Sequence, residues 1–458
     1  MTGGLKKTTS RLAIATIASV VASGAFAADL GGNCCADLEE RVAELEATAA
    51  RKGNRKVKLT VSGQVNEALI FWDDGSEKNV YVVSNNNSRT RFRFVGDAKI
   101  SNDWSAGYLL EIGIRYANSG NRNQGTDRAG GELDRIDIRH SAWWMERKDL
   151  GRVWLGETSS ATDGITEINL ANVNTVGPGA DAWQSGFFLR NSNGTLSTKK
   201  WDNVSPGFVG EWNAGEGDRN NVVKYVSPTW QGFTASAAWG EDDMWDVALR
   251  YAGEFNGVRI AAGIGYKEMR DNIGKSGADG PACADLNPAT SQSAIDCNNL
   301  GLSASIMHVP TGIYGFGSWG RTEDKNRQAL FGAAVKDEDK HWYLQGGIEQ
   351  NWFGIGKTTL YGEYGKYETG AGITSTGTVG AFAAADIQGG QGRLASSDLQ
   401  LWGLGINQEI SAAAMDLYLS YRHFEADLKT SVSGTTAGAV SAPVKDFDAV
   451  MMGAIIRF

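Results

Sequence analysis

The chain has 458 residues, with 59 Gly, only 7 Pro, 15 Trp, 13 Tyr and 16 Phe, and a formal net charge of −9. That acidic balance argues against nucleic acid as a partner, because phosphate binding needs an excess of Lys and Arg. Beyond residue 27 no segment approaches the roughly 20 apolar residues of a spanning helix, so a membrane could be crossed only by a closed sheet with an apolar lipid face and a polar lumen face.

Residues 1–27 read as a secretory signal peptide. Lys6, Lys7 and Arg11 precede the apolar run Leu12 to Ala22, and Ala25-Phe26-Ala27 is an A-x-A cleavage site. Cleavage removes three basic residues and no acidic ones, which moves the net charge from −9 to −12. Residues 28–55 form a periplasmic segment. Within it, ADLEERVAELEATAAR (36–51) places Leu38, Val42, Leu45 and Ala49 at heptad spacing and predicts a short helix. Two heptads are too few for an isolated coiled coil. The helix therefore either lies against something or joins a bundle beneath an oligomer, with peptidoglycan as a candidate partner. Cys34 and Cys35 follow no lipobox and acquire no role. RKGNRK (51–56) is a basic linker.

From Val57 the period changes to two. Val57, Leu59, Val61, Gly63, Val65, Leu69 and Phe71 share one face and Lys58, Thr60, Ser62, Gln64 and Asn66 the other, with Glu67 as the exception in the apolar row. Next, Thr90, Phe92, Phe94, Gly96, Ala98 and Ile100 alternate with Arg89, Arg91, Arg93, Val95, Asp97 and Lys99. Tyr108, Leu110, Ile112 and Ile114 alternate with Glu111, Gly113 and Arg115. Ile136, Ile138, Ala142 and Trp144 alternate with Arg135, Asp137, Arg139 and Ser141. Similar rows recur at Trp245–Tyr251, Val258–Tyr266 and Met415–Tyr421. About 16 to 18 such segments can be counted, the signature of an all-β transmembrane antiparallel barrel. Short hinges such as 252–257 contrast with long polar stretches at 267–299 and 369–396, as periplasmic turns and external loops would. Trp72, Trp104, Tyr108, Tyr116 and Tyr266 near strand ends suggest interfacial girdles. Cys283 and Cys297 flank a polar segment with Pro281 and Pro288, and a local disulfide is expected there in an oxidising compartment. The final row, Val450, Met452, Ala454, Ile456 and Phe458, ends on the last residue.

Several segments, in order, resemble the general bacterial (Gram-negative) porin family, particularly its alphaproteobacterial branch. They are KVKLTVSGQVNEALIFWDDG, SRTRFRFVG, DLGRVWLGETSSATDGI, VKYVSPTWQGFTASAAWGEDDMWDVALRYAGEF and the terminal Phe458. The likeness covers about residue 56 to Phe458. It implies a 16-stranded barrel over 56–458, a homotrimer in outer-membrane lipid, and a third loop folded into the pore. The matching loop runs from about Glu157 to Ser185 and contains Glu157, Asp163, Glu167 and Asp181. Phe458 resembles the signal by which barrel-assembly machinery recognises such chains. The helix at 36–51 departs from the enterobacterial members.

A bare charge at mid-bilayer on the lipid face costs about 2–4 kcal/mol, so Arg89, Arg91, Arg93, Arg115, Arg135 and Arg139 are expected in the lumen. The resemblance implies that such an arginine wall faces Glu157, Asp163, Glu167 and Asp181 of the loop, and some of the arginines should pair with Asp97, Glu111 and Asp137. Opposed charged walls order water and favour polar solutes. The expected function is passive diffusion of ions and small hydrophilic solutes. Trp143 and Trp154, placed on the polar face, leave open a channel selective for sugars or anions, and helix 36–51 leaves open a structural outer-membrane anchor. His140, His308, His341 and His423 fall on different strands without metal-ligand or Ser/His/Asp spacing, and no cofactor motif is found, so no enzyme is expected. His140 and His308 are placed in outward rows.

Overall fold

Period-two alternation resolves into sixteen wall strands in the computed structural model. It describes residues 56–114, 116–126, 136–173, 176, 183–205, 213–240, 243–270, 296–325, 327–328, 333–334, 336–370, 388–390, 392–432 and 435–458. The wall strands are β1 (Lys58–Asp73), β2 (Arg91–Lys99), β3 (Trp104–Ile114), β4 (Ile136–Arg147), β5 (Gly151–Ser159), β6 (Arg219–Val226), β7 (Phe233–Gly240) and β8 (Trp245–Phe255). They continue as β9 (Val258–Arg270), β10 (Asp296–His308), β11 (Ile313–Asp324), β12 (Glu338–Gln350), β13 (Thr358–Thr369), β14 (Arg393–Ile410), β15 (Met415–Ser431) and β16 (Phe447–Arg457). Two short strands, Lys78–Ser84 and Val440–Ser441, complete the sheet.

Sequential strands pair antiparallel, and β16 closes on β1 with Leu69 opposite Met452 and Gln64 opposite Arg457. Closure leaves no unpaired sheet edge to meet lipid. Where strands are joined by two residues the turn chemistry fits: between β8 and β9, Asn256 and Gly257 have φ of 50° and 75°, as a type I′ hairpin requires. Signal segment, helix 36–51, Arg115, Arg135, Asp181 and Cys283 lie outside the described residues.

The rows read from β1, β8, β9, β15 and β16 are those observed. Val61, Val65 and Phe71 are exposed outward, while Gln64, Asn66 and Ala68 are buried inward. Glu67 does sit in the outward row, where the Thr90 hydroxyl donates to its Oε1 at 3.3 Å.

β4 differs from expectation. Its register with β3 shifts between Glu111, opposite His140, and Ile112, opposite Ile138. Arg139 is the extra residue of a bulge, and such an insertion inverts the facing of every residue that follows. Ile136 and Ile138 are outward as expected, but Ala142 and Trp144 turn inward and Trp143, 48% exposed, turns outward. His140 is likewise buried inward, with Nδ1 3.2 Å from Thr158 Oγ1. Trp72 is a further correction. It is no girdle residue but points into the lumen, its ring 5.1 Å from that of Phe187.

Candidate functional site

The lumen side of β2–β4 carries an arginine cluster built by register. Arg93 lies opposite Glu111, and Arg91 opposite Gly113. The bulge brings Arg139 to the same carboxylate. Glu111, wholly buried, receives Arg139 Nε at 2.7 Å, Arg91 Nη1 at 3.5 Å and the guanidinium of Arg93. Arg89, just ahead of β2, pairs with Asp137 at 2.8 Å. A carboxylate shared by three guanidinium groups leaves a positive excess on this wall, in a setting where charges act more strongly than in bulk water. Arg93 keeps the largest exposure of the group. At the head of β6, Arg219 Nη1 stands 4.0 Å from Asp163 Oδ2 of the loop that follows β5.

The described residues of that loop, 160–173, 176, 183–205 and 213–218, reach beyond the 157–185 segment expected and lie against the inner face of the barrel. They cross the inner face of the wall by polar contacts to successive strands. Asp246 of β8 accepts from Thr162 N–H at 2.8 Å, and Ser303 and Ser305 of β10 accept from Ile168 and Leu170 N–H at 3.2 Å. Gln345 of β12 accepts from Asn169 Nδ2 at 2.8 Å. Asn172 reaches the ends of β12 and β15, donating to Glu349 at 2.7 Å and Asp416 at 2.9 Å. Deeper in β15, the buried Arg422 donates to Val176 O at 3.1 Å and to Glu363 at 2.7 Å, and lies 4.3 Å from the Trp183 ring. The loop then closes over an apolar cluster in which Phe187 lies 4.9 Å and Trp201 6.1 Å from Phe447. A short hairpin, Phe188–Arg190 with Leu196–Lys200, is tied back by Arg190 to Asp74 at 2.7 Å.

Among the expected loop carboxylates, Asp163 and Glu167 lie on the inward loop. Burial works to raise the Asp163 carboxyl, but Arg219 and the Ser159 hydroxyl hold it below its ordinary value. Glu157 is different: it lies on β5 opposite Asn221 of β6, and falls in the outward row of Val153 and Leu155. The aromatic pair also separates. Trp143 faces outward, whereas Trp154, 7% exposed, is packed 6.2 Å from Trp144. Arg152 lies 4.1 Å above Trp144 and Lys224 5.9 Å from Trp154, so these cations cover the indoles. Cys297 is buried at the start of β10 and is disulfide-bonded. Sequence reasoning missed Arg219 and Glu216. The only local signal for them is the Gly215-Glu216-Gly217-Asp218 stretch directly ahead of a period-two strand.

A family model of Gram-negative porins matches residues 13–427. Among solved structures, the anion-selective porin from Comamonas acidovorans is similar with a TM-score of 0.54 at 16% identity, over 88% of this chain and 100% of that one. That likeness supports the barrel fold. OprB of Pseudomonas putida aligns at 11% identity and TM-score 0.49 over 92% of this chain and 97% of its own. In-vitro folded OmpT of Vibrio cholerae aligns at 12% identity and TM-score 0.49, over 89% and 99%. No curated protein matches the sequence. With the family model spanning most of its length, the chain belongs to the Gram-negative porins.

Proposed function

We propose that this porin is a water-filled passive channel of the outer membrane, a homotrimer rather than an enzyme, whose solutes pass between an arginine wall and an inward loop. The observation that carries the reading is the cluster of Arg91, Arg93 and Arg139 about Glu111, together with Arg219 set against Asp163 of the loop. Charged groups facing a confined aqueous path attract ions and orient water, and they disfavour apolar solutes. The Comamonas relative is named anion-selective, and the excess of arginine over carboxylate at Glu111 favours the same sign here. A sugar-type aromatic slide has lost its basis, since Trp143 faces outward and Trp154 is covered.

Planar-bilayer recording of the purified protein tests this. Steady conductance that scales with salt, without block by millimolar sugars or dicarboxylates, is expected. A saturable solute block would establish a selective channel instead, and absence of conductance would overturn the channel reading.

A further inference from the structure

We propose that Glu216 is a positioning residue of the passage, whose carboxylate clasps the outgoing and returning ends of the inward loop and thereby sets where Asp163 stands against Arg219. The proposal rests on the reading of this region as a charged constriction.

Glu216 is buried on the returning limb of the loop. Its carboxylate accepts from the N–H of Ile165 at 3.0 Å and of Thr166 at 2.7 Å, from the Thr166 hydroxyl, and from Gly217 N–H at 3.0 Å. Ile165 and Thr166 belong to the outgoing turn, so one side chain bridges the two limbs. Asn213 Nδ2 adds a bond from the returning limb to Thr166 Oγ1 at 3.0 Å.

Packing explains why a carboxylate must do this. A Cβ on Gly217 would stand 2.3 Å from Thr162 Oγ1 and 2.5 Å from Asp163 N. One on Gly215 would stand 2.4 Å from Leu300 O of the wall. The returning limb is therefore pressed, backbone to backbone, between the wall and the outgoing turn. Into that layer the turn directs several N–H donors away from water, and buried donors need an acceptor. An ionised carboxylate has acceptor sites for all of them.

The wall holds the same turn from its other side. Asp246 accepts from Thr162 N–H at 2.8 Å and from its hydroxyl at 2.7 Å. Arg250 donates to Ala161 O at 2.7 Å and Asp163 O at 2.8 Å, and the Ser303 hydroxyl donates to Ile165 O at 2.6 Å. The wall contacts fix the turn to β8 and β10. Glu216 fixes it to the segment that leads directly into Arg219.

The test uses the full-length porin in planar bilayers, with Glu216→Ala, Glu216→Gln, Gly217→Ala and Asp163→Asn. Ala and Gln remove the same charge, but Gln keeps an acceptor oxygen. Several-fold higher open-channel current noise is expected for Glu216→Ala, with a substantially quieter Glu216→Gln. Gly217→Ala, which pushes on Thr162 and Asp163, should be noisy as well and should shift the reversal potential. Equal, wild-type noise in Glu216→Ala and Glu216→Gln would overturn the clasp. If Glu216→Ala fails to assemble, a quiet and unshifted Gly217→Ala would overturn it instead. An unchanged reversal potential in Asp163→Asn would overturn the constriction itself, a separate failure.

Discussion

Gly63 and Phe458 form a paired seat at the barrel seam. Gly63 N–H donates to Phe458 O at 3.0 Å, and Phe458 N–H donates to Gly63 O at 3.1 Å. A Cβ on Gly63 would stand 2.5 Å from Phe458 Cζ and 2.6 Å from Arg91 O. The terminal ring thus lies over a bare Cα, 6.1 Å from the Phe92 ring, and covers the glycine as aromatic residues do across strands.

Removal of either half of this seat should impair closure. Phe458→Ser, Phe458 deletion or Gly63→Val should each lower the amount of folded barrel several-fold while leaving conductance per assembled channel close to wild type. Heat-modifiable electrophoretic mobility measures the first and single-channel recording the second. Normal yields from Gly63→Val would mean that the seat has no part in assembly.

Charge reversal of preference should follow the walls. Replacing Arg89, Arg91 and Arg93 with Ala should shift permeability towards cations, and replacing Asp163 and Glu167 with their amides should shift it towards anions. Glu157→Gln should do little, because Glu157 falls in the outward row with Val153 and Leu155. Reversal potentials in a salt gradient read all three. The differences should fade at molar salt, where the Debye length is about 3 Å; persistence there would argue for a steric cause.

Selectivity should also depend on pH. Burial, partly offset by the Thr166 hydrogen bonds and reinforced by Asp163, raises the Glu216 carboxyl above its ordinary value. Arg250 and Asp163 are the charged groups acting on it, with Asp218 and Arg219 adjacent. A raised carboxyl takes up its proton at a higher pH than an ordinary glutamate, so acidification removes a negative charge beside the passage early. Anion preference should rise on acidification, above the pH range of ordinary carboxylates, and Glu216→Gln should shrink this step. A step of equal size in Glu216→Gln would assign the titration to another group.

Cys297 is disulfide-bonded, and we propose Cys283 as its partner. A closed loop of roughly 15 residues restricts the unfolded chain by about 3 kcal/mol in the chain-entropy model. Reduction or Cys283→Ser should therefore lower resistance to unfolding without preventing barrel formation. Peptide mapping of the non-reduced protein checks the pairing, and a free Cys283 thiol would refute it.

The alternating rows of β1, β8, β9, β15 and β16 were legible from the sequence alone. Lipid and lumen are two different solvents on opposite faces of one strand, so each residue's polarity reports its side. The charged character of the β2 wall was legible for the same reason, because Arg91 and Arg93 could not cheaply face hydrocarbon. Tertiary structure decided the rest. One extra residue at Arg139 inverted Trp143 and Trp144, and a period cannot reveal where it skips. Trp72 at a strand end looks the same in sequence whether it meets lipid or, as here, Phe187 of an inward loop. Glu216 acquires its role from donors on Ile165 and Thr166, far away in the chain. Such a partnership arises only when the loop folds back on itself, because hydrogen bonding depends on proximity in space and leaves no periodic trace in the sequence.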